Sequence, residues 1–361
     1  MNSSLMENKT YYQNNVYFGK YIDKYFRNYN NKNLNLYDSD YYNPRCPSCK
    51  IVSQFQNINY LGNKKLQYQN LKKFYNKVPD YVPITYSFKS NKFAHLRTIF
   101  TPNKLFIVKP EDSLRKKGVS VVSSFMELQN WISNNSTFKN WIIQEFISDC
   151  LLINNKKFHL CIYAIVIKNE KHLKTYVYSK GFIYTSKNNY NVNKYKNTNV
   201  SLSGGNSFNQ VKLFPEDFLD KFGIEKYNLI EKQIDNITNQ TILACHKNLE
   251  CDNNKINNYK CYKLLKYDVI VDNNYKVWLL ETNARVIAFV HPPPNYLKNM
   301  YFSILNLVIN GNTNNFRKVL DMKLNYNLEN FTNNKDIVML NKYNQYFFIF
   351  IIICIFILYF Y

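Results

Sequence analysis

Residues 264–283 read LLKYDVIVDNNYKVWLLETN. Two β-rich runs, LLKYDVIVD and KVWLLETN, flank Asn273 and Asn274, residues suited to the tight turn of a hairpin. With a two-residue turn, Asp272 faces Tyr275 and Asp268 falls opposite Leu279. Side chains alternate along a strand, so Leu279, Glu281 and Asn283 share the face of Asp268, with Glu281 at the diagonal position about 7–8 Å away. Two carboxylates and an amide oxygen so placed suit one or two Mg²⁺ ions, hard cations that usually bridge to nucleotide phosphates. The bland alternative is a solvated sheet face carrying scattered acids. Metal is favoured because these acids interrupt otherwise apolar strands, and burying them in so basic a chain without a cation is costly.

Upstream of this hairpin the pattern predicts alternating elements. A helix carries Leu66, Leu71 and Phe74 at helical spacing, followed by a short strand at 82–86. Further strands are expected at 105–110 (LFIVKP), 119–123, 141–147 (WIIQEFI), 157–167 (KFHLCIYAIVI) and 176–184 (YVYSKGFIY), with a helix at 125–133. A polar loop covers roughly 187–210, and residues 217–245 have the spacing of one or two helices. Mixed helices and antiparallel pairs point to an α+β fold. Lys109 ends the strand FIVK, and the loop after it carries Arg115, Lys116, Lys117 and Gly118. Such a group can grip phosphate oxygens, with Gly118 allowing close backbone approach, or it can be an ordinary solvated loop. The strand end at Gln144, Glu145, Phe146 and Ile147 could hold an adenine edge by backbone hydrogen bonds or be simply amphipathic. No Walker loop or GxGxxG competes for a nucleotide.

The chain has 361 residues, 46% of them hydrophobic, which excludes wholesale disorder. Forty-seven basic against 25 acidic side chains give +22, so an acidic partner is expected. Part of that excess follows the same drift toward Asn, Lys and Tyr that leaves only 8 Gly, and it is discounted accordingly. RNA- or DNA-binding signatures are missing, which makes nucleic acid an unlikely partner. The cysteines at 46, 49, 150, 161, 245, 251, 261 and 354 form no even lattice, and no apolar leader precedes them; a reducing, cytoplasmic compartment fits. The single CPSC at 46–49 is a weak zinc signal, and Cys245, His246, Cys251 and Cys261 lack zinc-like spacing. Residues 346–361, YFFIFIIICIFILYFY, would reach about 24 Å as a helix, short of the ~30 Å hydrocarbon core. A membrane anchor and a buried terminal segment are both open.

Taken in order, FIVKP, KKGVSVV, WIIQEFI, LLINNKKFHLCIY, YVYSKG, KYDVIVD and KVWLLETN resemble the tubulin-tyrosine ligase family of ATP-grasp ligases, polyglutamylases and polyglycylases included, over roughly residues 60–310. The resemblance implies an ATP-grasp fold and ATP and Mg²⁺ as cofactors. Lys109, Lys117, Gly118 and Lys157 would lie at the phosphates and Gln144, Glu145, Phe146 and Ile147 at the adenine. Asp268, Glu281 and Asn283 would hold Mg²⁺, and Lys157 and His159 would act at the transferred phosphoryl group. The implied reaction activates a carboxylate as an acyl phosphate, which an amine attacks to form an amide. Its partners would be a free amino acid (Tyr, Glu or Gly) and an acidic protein tail such as that of tubulin, steered by positive charge.

Within its span the resemblance implies a segment preceding the ATP-grasp core at 56–100 and lobes at 101–148 and 149–310; composition adds a polar arm at 1–55, a polar linker at 311–345 and the apolar tail at 346–361. Departures lie on the substrate side. Where most of the family reads K-F-D-x-R, this chain has Lys157, Phe158, His159, Leu160 and Cys161, losing a fixed cation. Tyr184 stands where arginine is frequent, SLSGG at 201–205 where H-L-T-N is usual, and Ser120 replaces the second glycine of the phosphate loop. A non-catalytic module that binds nucleotide and an acidic protein is therefore the alternative. His159 could equally be structural, and Cys161 a small buried hydrophobe.

Overall fold

The structure is a computed structural model that describes residues 11–13, 36–38, 51–53, 55–111, 117–203, 208–251, 259–284 and 294–324. Most of the arm and the linker, the apolar tail, Cys46, Cys49, Arg115, Lys116 and the glycines of SLSGG lie outside these residues. Among the described residues, no helix is long and apolar enough to cross a membrane.

Three short strands, β1 (Tyr11–Gln13), β2 (Leu36–Asp38) and β3 (Ile51–Val52), pair in parallel at one edge of a large sheet. Helix α1 (Lys64–Phe74) follows, its first turn capped by the Asn63 side chain, which accepts from the Leu66 N–H. Next come β4 (Thr85–Lys89), β5 (Phe106–Pro110), β6 (Ser120–Val122), helix α2 (Phe125–Asn134) and β7 (Asn140–Glu145). These strands form a four-stranded antiparallel sheet in the order β4-β7-β5-β6. Its core is Phe88, Phe106, Val108, Trp141 and Ile143 against Leu128 and Ile132 of α2. The strand expected at 82–86 begins only at Thr85, since Pro83 has no N–H to give a ladder.

The large sheet is built on β9 (Lys156–Asn169), to which the two-residue β8 (Leu152–Ile153) pairs. The single run read at 176–184 is two strands, β10 (His172–Tyr178) and β11 (Gly181–Ser186), and both pair with β9. The chain breaks just before Gly181, where a Cβ would lie 2.5 Å from the Cys161 carbonyl oxygen; only glycine fits that approach. β12 (Phe208–Phe214), helix α3 (Glu216–Cys245), β13 (Lys260–Val271), β14 (Val277–Asn283), helix α4 (Pro294–Asn310) and β15 (Phe316–Lys323) complete the order. α3 is two helical segments joined at Gly223, whose backbone leaves the helix at φ 78°. β13 lies antiparallel between β9 and β14, so the predicted hairpin is central to the sheet. Apolar residues of β9, β10 and β11 pack against Met300, Ile304, Leu305 and Val308 of α4. Mixed helices and largely antiparallel sheets are the expected α+β class. Cys251 and Cys261 are joined as a disulfide, a pairing their spacing did not announce.

Candidate functional site

The hairpin differs from the expected one twice. Asp272 accepts from the N–H groups of Asn274 and Lys276 through its carboxylate, and Tyr275 adopts a left-handed backbone at φ 59°, which makes a loop one residue longer. Val271 therefore pairs with Val277 and Val269 with Leu279. A second irregularity then sets Asp268 directly opposite Glu281, leaving Leu280 as the extra residue of a bulge. The burial of β14 records it: Val277, Leu279 and Thr282 are buried, while Trp278, Leu280, Glu281 and Asn283 are partly exposed. Leu279, expected beside the acids, is instead in the core at 2% exposure. Leu280 stands beside it partly exposed, and both leucines line a narrow crevice with Lys64, Gln67, Tyr68, Ile142 and Gln144.

The acids converge more closely than the diagonal placement required. Asn283 Nδ2 donates to Asp268 Oδ2 at 3.0 Å and to Glu281 Oε1 at 3.3 Å, so the amide nitrogen, not its oxygen, faces them. Lys266, paired across the ladder with Asn283, reaches Asp268 Oδ2 at 3.1 Å, and Lys64 at the start of α1 reaches Glu281 Oε2 at 3.1 Å. Burial would raise both carboxyls. For Asp268 it wins over Lys266, helped by the neighbouring Glu281, and the carboxyl is held above its usual range. For Glu281 the fields of Lys64, Lys109 and Lys266 overcome burial and hold it well below. A buried and a partly exposed carboxylate opposite each other, with an amide between, are a hard-oxygen donor set that fits Mg²⁺ once the amide turns its oxygen inward.

Lys109 on β5 and Lys157 on β9 are both buried. Lys109 Nζ donates to Gln144 Oε1 at 3.1 Å, and Gln144 in turn donates to Thr85 Oγ1 at 2.9 Å. Lys157 Nζ donates to the Ile147 carbonyl at 2.7 Å and stands 3.6 Å from the centre of the Phe146 ring. Burial lowers both ammonium groups to about 8, against partial opposition from Glu281 for Lys109 and from Cys150 for Lys157. Of the expected adenine strand, only Gln144 and Glu145 belong to β7; Phe146 and Ile147 lie beyond its end. The N–H groups of Glu145 and Phe146 are committed to the carbonyls of Ile84 and Leu105. Lys117 is exposed. Gly118 is required by its φ of 74° and by Pro110 and Phe138, which a Cβ would meet at 2.7 and 2.9 Å, so packing alone explains it.

His159 follows Lys157 by one strand repeat. Its Nδ1 lies 2.8 Å from Ser203 Oγ and its Nε2 3.5 Å from Cys161 Sγ, while the ring stacks on Tyr184 with centroids 5.4 Å apart. Cys161, opposite Asp268 on the neighbouring strand, donates to Asp268 Oδ1 at 3.0 Å. Sequence reasoning had missed Lys64, Lys266, Leu280, Thr85 and Ser203. Of these, Lys266 was findable: it precedes Asp268 by two, and so shares its face.

The model of the tubulin-tyrosine ligase family matches residues 43–286. A tubulin polyglutamylase of Caenorhabditis briggsae is 26% identical over 254 residues, 64% of this chain and 41% of that protein. A probable alpha-tubulin polyglutamylase of Tetrahymena thermophila is 23% identical over 281 residues, covering 66% of this chain and 67% of its own. A probable tubulin polyglutamylase of Homo sapiens is 25% identical over 229 residues, 56% of this chain and 36% of the relative. The matched region thus spans less than half of the nematode and human proteins.

Proposed function

Because this chain belongs to the tubulin-tyrosine ligase family, we propose that it is an ATP- and Mg²⁺-dependent ligase that joins an amino acid, glutamate first among Glu, Gly and Tyr, to an acidic protein tail of the tubulin kind. One observation carries the reading: Asp268, Glu281 and Asn283 meet on one face, and the field of Glu281 reaches Lys109, one of two buried lysines that rest on neutral oxygens. Residues 101–148 and 149–310 would be the two lobes that supply these groups. Bound ATP and Mg²⁺ would supply a phosphoryl group for making an acyl phosphate from the acceptor carboxylate. Asp268, Glu281 and Asn283 would hold the ion. Lys109 and Lys157 would bind phosphate oxygens and steady the charge that builds as the phosphoryl group moves, so no enzyme nucleophile is needed. The preference for glutamate rests on the names of the relatives, and the acidic acceptor on the +22 charge.

The test is incorporation of labelled Glu, Gly or Tyr into tubulin by the full chain with ATP and Mg²⁺. Glutamate incorporation that vanishes in Glu281→Gln supports the assignment, and failure of all three amino acids with every tail peptide overturns it. Cys161 and Tyr184, standing where the family carries arginine, favour a second reading, a module that binds nucleotide and an acidic partner without turnover. Calorimetry separates the two: Mg²⁺-dependent ATP binding with no ligation selects the second.

A further inference from the structure

The substitution that removes a cation from the substrate side also creates a donor set. The ligand atoms of His159, Cys161 and Asp268 all lie within 4.8 Å of one another. Sγ is 3.5 Å from His159 Nε2 and 3.0 Å from Asp268 Oδ1. Zinc bonds of about 2.3 Å to sulfur and 2.0 Å to nitrogen give a tetrahedral S-to-N edge of about 3.5 Å, so the Cys–His edge already has the length such an ion requires. The carboxylate needs to retreat from the sulfur by about half an ångström, and the His159–Asp268 edge, which lies within 4.8 Å, to settle at about 3.3 Å. The surroundings orient the ligands: Ser203 Oγ holds the far ring nitrogen of His159, Tyr184 fixes the ring plane, and Lys266 and Asn283 bind the other oxygen of Asp268, leaving Oδ1 turned to the thiol. Imidazole, thiolate and carboxylate together prefer a borderline-soft ion over Mg²⁺.

We propose that His159, Cys161 and Asp268 form a site for a thiophilic divalent ion of the zinc class, which takes the place of the missing guanidinium as a fixed positive charge. Binding displaces the thiol proton of Cys161 to solvent and forms a metal–thiolate bond; no oxidant or reductant is involved. The site shares Asp268 with the Mg²⁺ set, but its existence does not depend on the ligase reading.

The experiment uses the full chain, stripped with a chelator under argon and titrated with Co²⁺, without nucleotide. Thiolate ligation appears as near-ultraviolet charge-transfer absorption, and a four-coordinate ion gives intense visible bands. The expected result is a band saturating at one equivalent, bleached by Zn²⁺ and untouched by millimolar Mg²⁺. It should persist in the Cys46→Ser/Cys49→Ser double variant and vanish in Cys161→Ser. Ser203→Ala, which leaves all three ligands and the strands in place, should weaken Co²⁺ binding about 10- to 100-fold. Absence of the band in the wild type, its survival in Cys161→Ser, or unchanged affinity in Ser203→Ala would each overturn the proposal.

Discussion

The wall made by β5, β7 and the start of β9 treats buried charge in the opposite way from the wall made by β13 and β14. On the first, Lys109 and Lys157 rest on a neutral amide, a carbonyl and a ring, and burial drags both toward losing their protons. On the second, Asp268 and Glu281 each have a lysine beside them, Lys266 and Lys64, enough to hold Glu281 ionised although burial still raises Asp268. The first arrangement is expensive in isolation and becomes favourable when an anion arrives. The second is partly neutralised in advance. The lesson is that burial alone says little about a charged group's task; the nature of its nearest partner says more.

The sharpest way to break this comparison is Glu281→Gln. Loss of ligation by more than about 100-fold is expected, the scale on which one electrostatic contact to a developing charge acts, read as labelled glutamate transfer. Nucleotide affinity measured without Mg²⁺ should change far less, and an equal loss in both would show that the two walls do not divide the work. Lys157→Met comes next. Removing one charged hydrogen-bond donor should cost about 2 kcal/mol, or some 30-fold in ATP affinity by calorimetry, with Mg²⁺ affinity retained. Gly181→Ala tests the frame instead of the ligand: the added Cβ must push the Cys161 carbonyl aside, so unfolding stability in urea should fall by about 2 kcal/mol.

The smallest effect is in pH. Lys109 and Lys157 are lowered to about 8, so below that pH both carry charge and above it both progressively lose it. Between pH 7 and 8.5 ATP affinity should therefore fall several-fold, a loss bounded by that of removing the lysines themselves. Because Glu281 opposes the depression of Lys109, the decline should begin at lower pH in Glu281→Gln. A flat affinity from pH 7 to 9.5 would mean that the first wall does not bind phosphate as a cation.

Much of this was legible in the residues because apolar runs and their punctuation are local. The helices carrying Leu71 and Leu128 and the strands around Phe106, Trp141 and Val269 announce themselves. The convergence of Asp268, Glu281 and Asn283 was legible for a less secure reason. The two-residue turn was one residue too short, since a tyrosine in left-handed backbone leaves no mark on a sequence, and the bulge at Leu280 adds a second shift. The two offsets add to two residues, one full repeat of the strand, which returns the acids to the expected face; Leu279 meets only the first and turns to the other. Lys64 was out of reach, because nothing local ties the first residue of α1 to a carboxylate 217 positions later. The adenine strand was misjudged at its end because Phe146 and Ile147 carry the apolar run on past Glu145, where the strand stops.

The bulge in β14 has a meaning for what the crevice can accommodate. A regular strand offers one side chain in two to each side, so an oily group and an acidic one that follow each other must look in opposite directions. With Leu280 as the supernumerary residue, Leu280 and Glu281 are both partly exposed in immediate succession. Two adjacent residues, one apolar and one acidic, thereby both stay partly open. Excising Leu280 would leave a more regular ladder and take from Glu281 its exposed apolar neighbour.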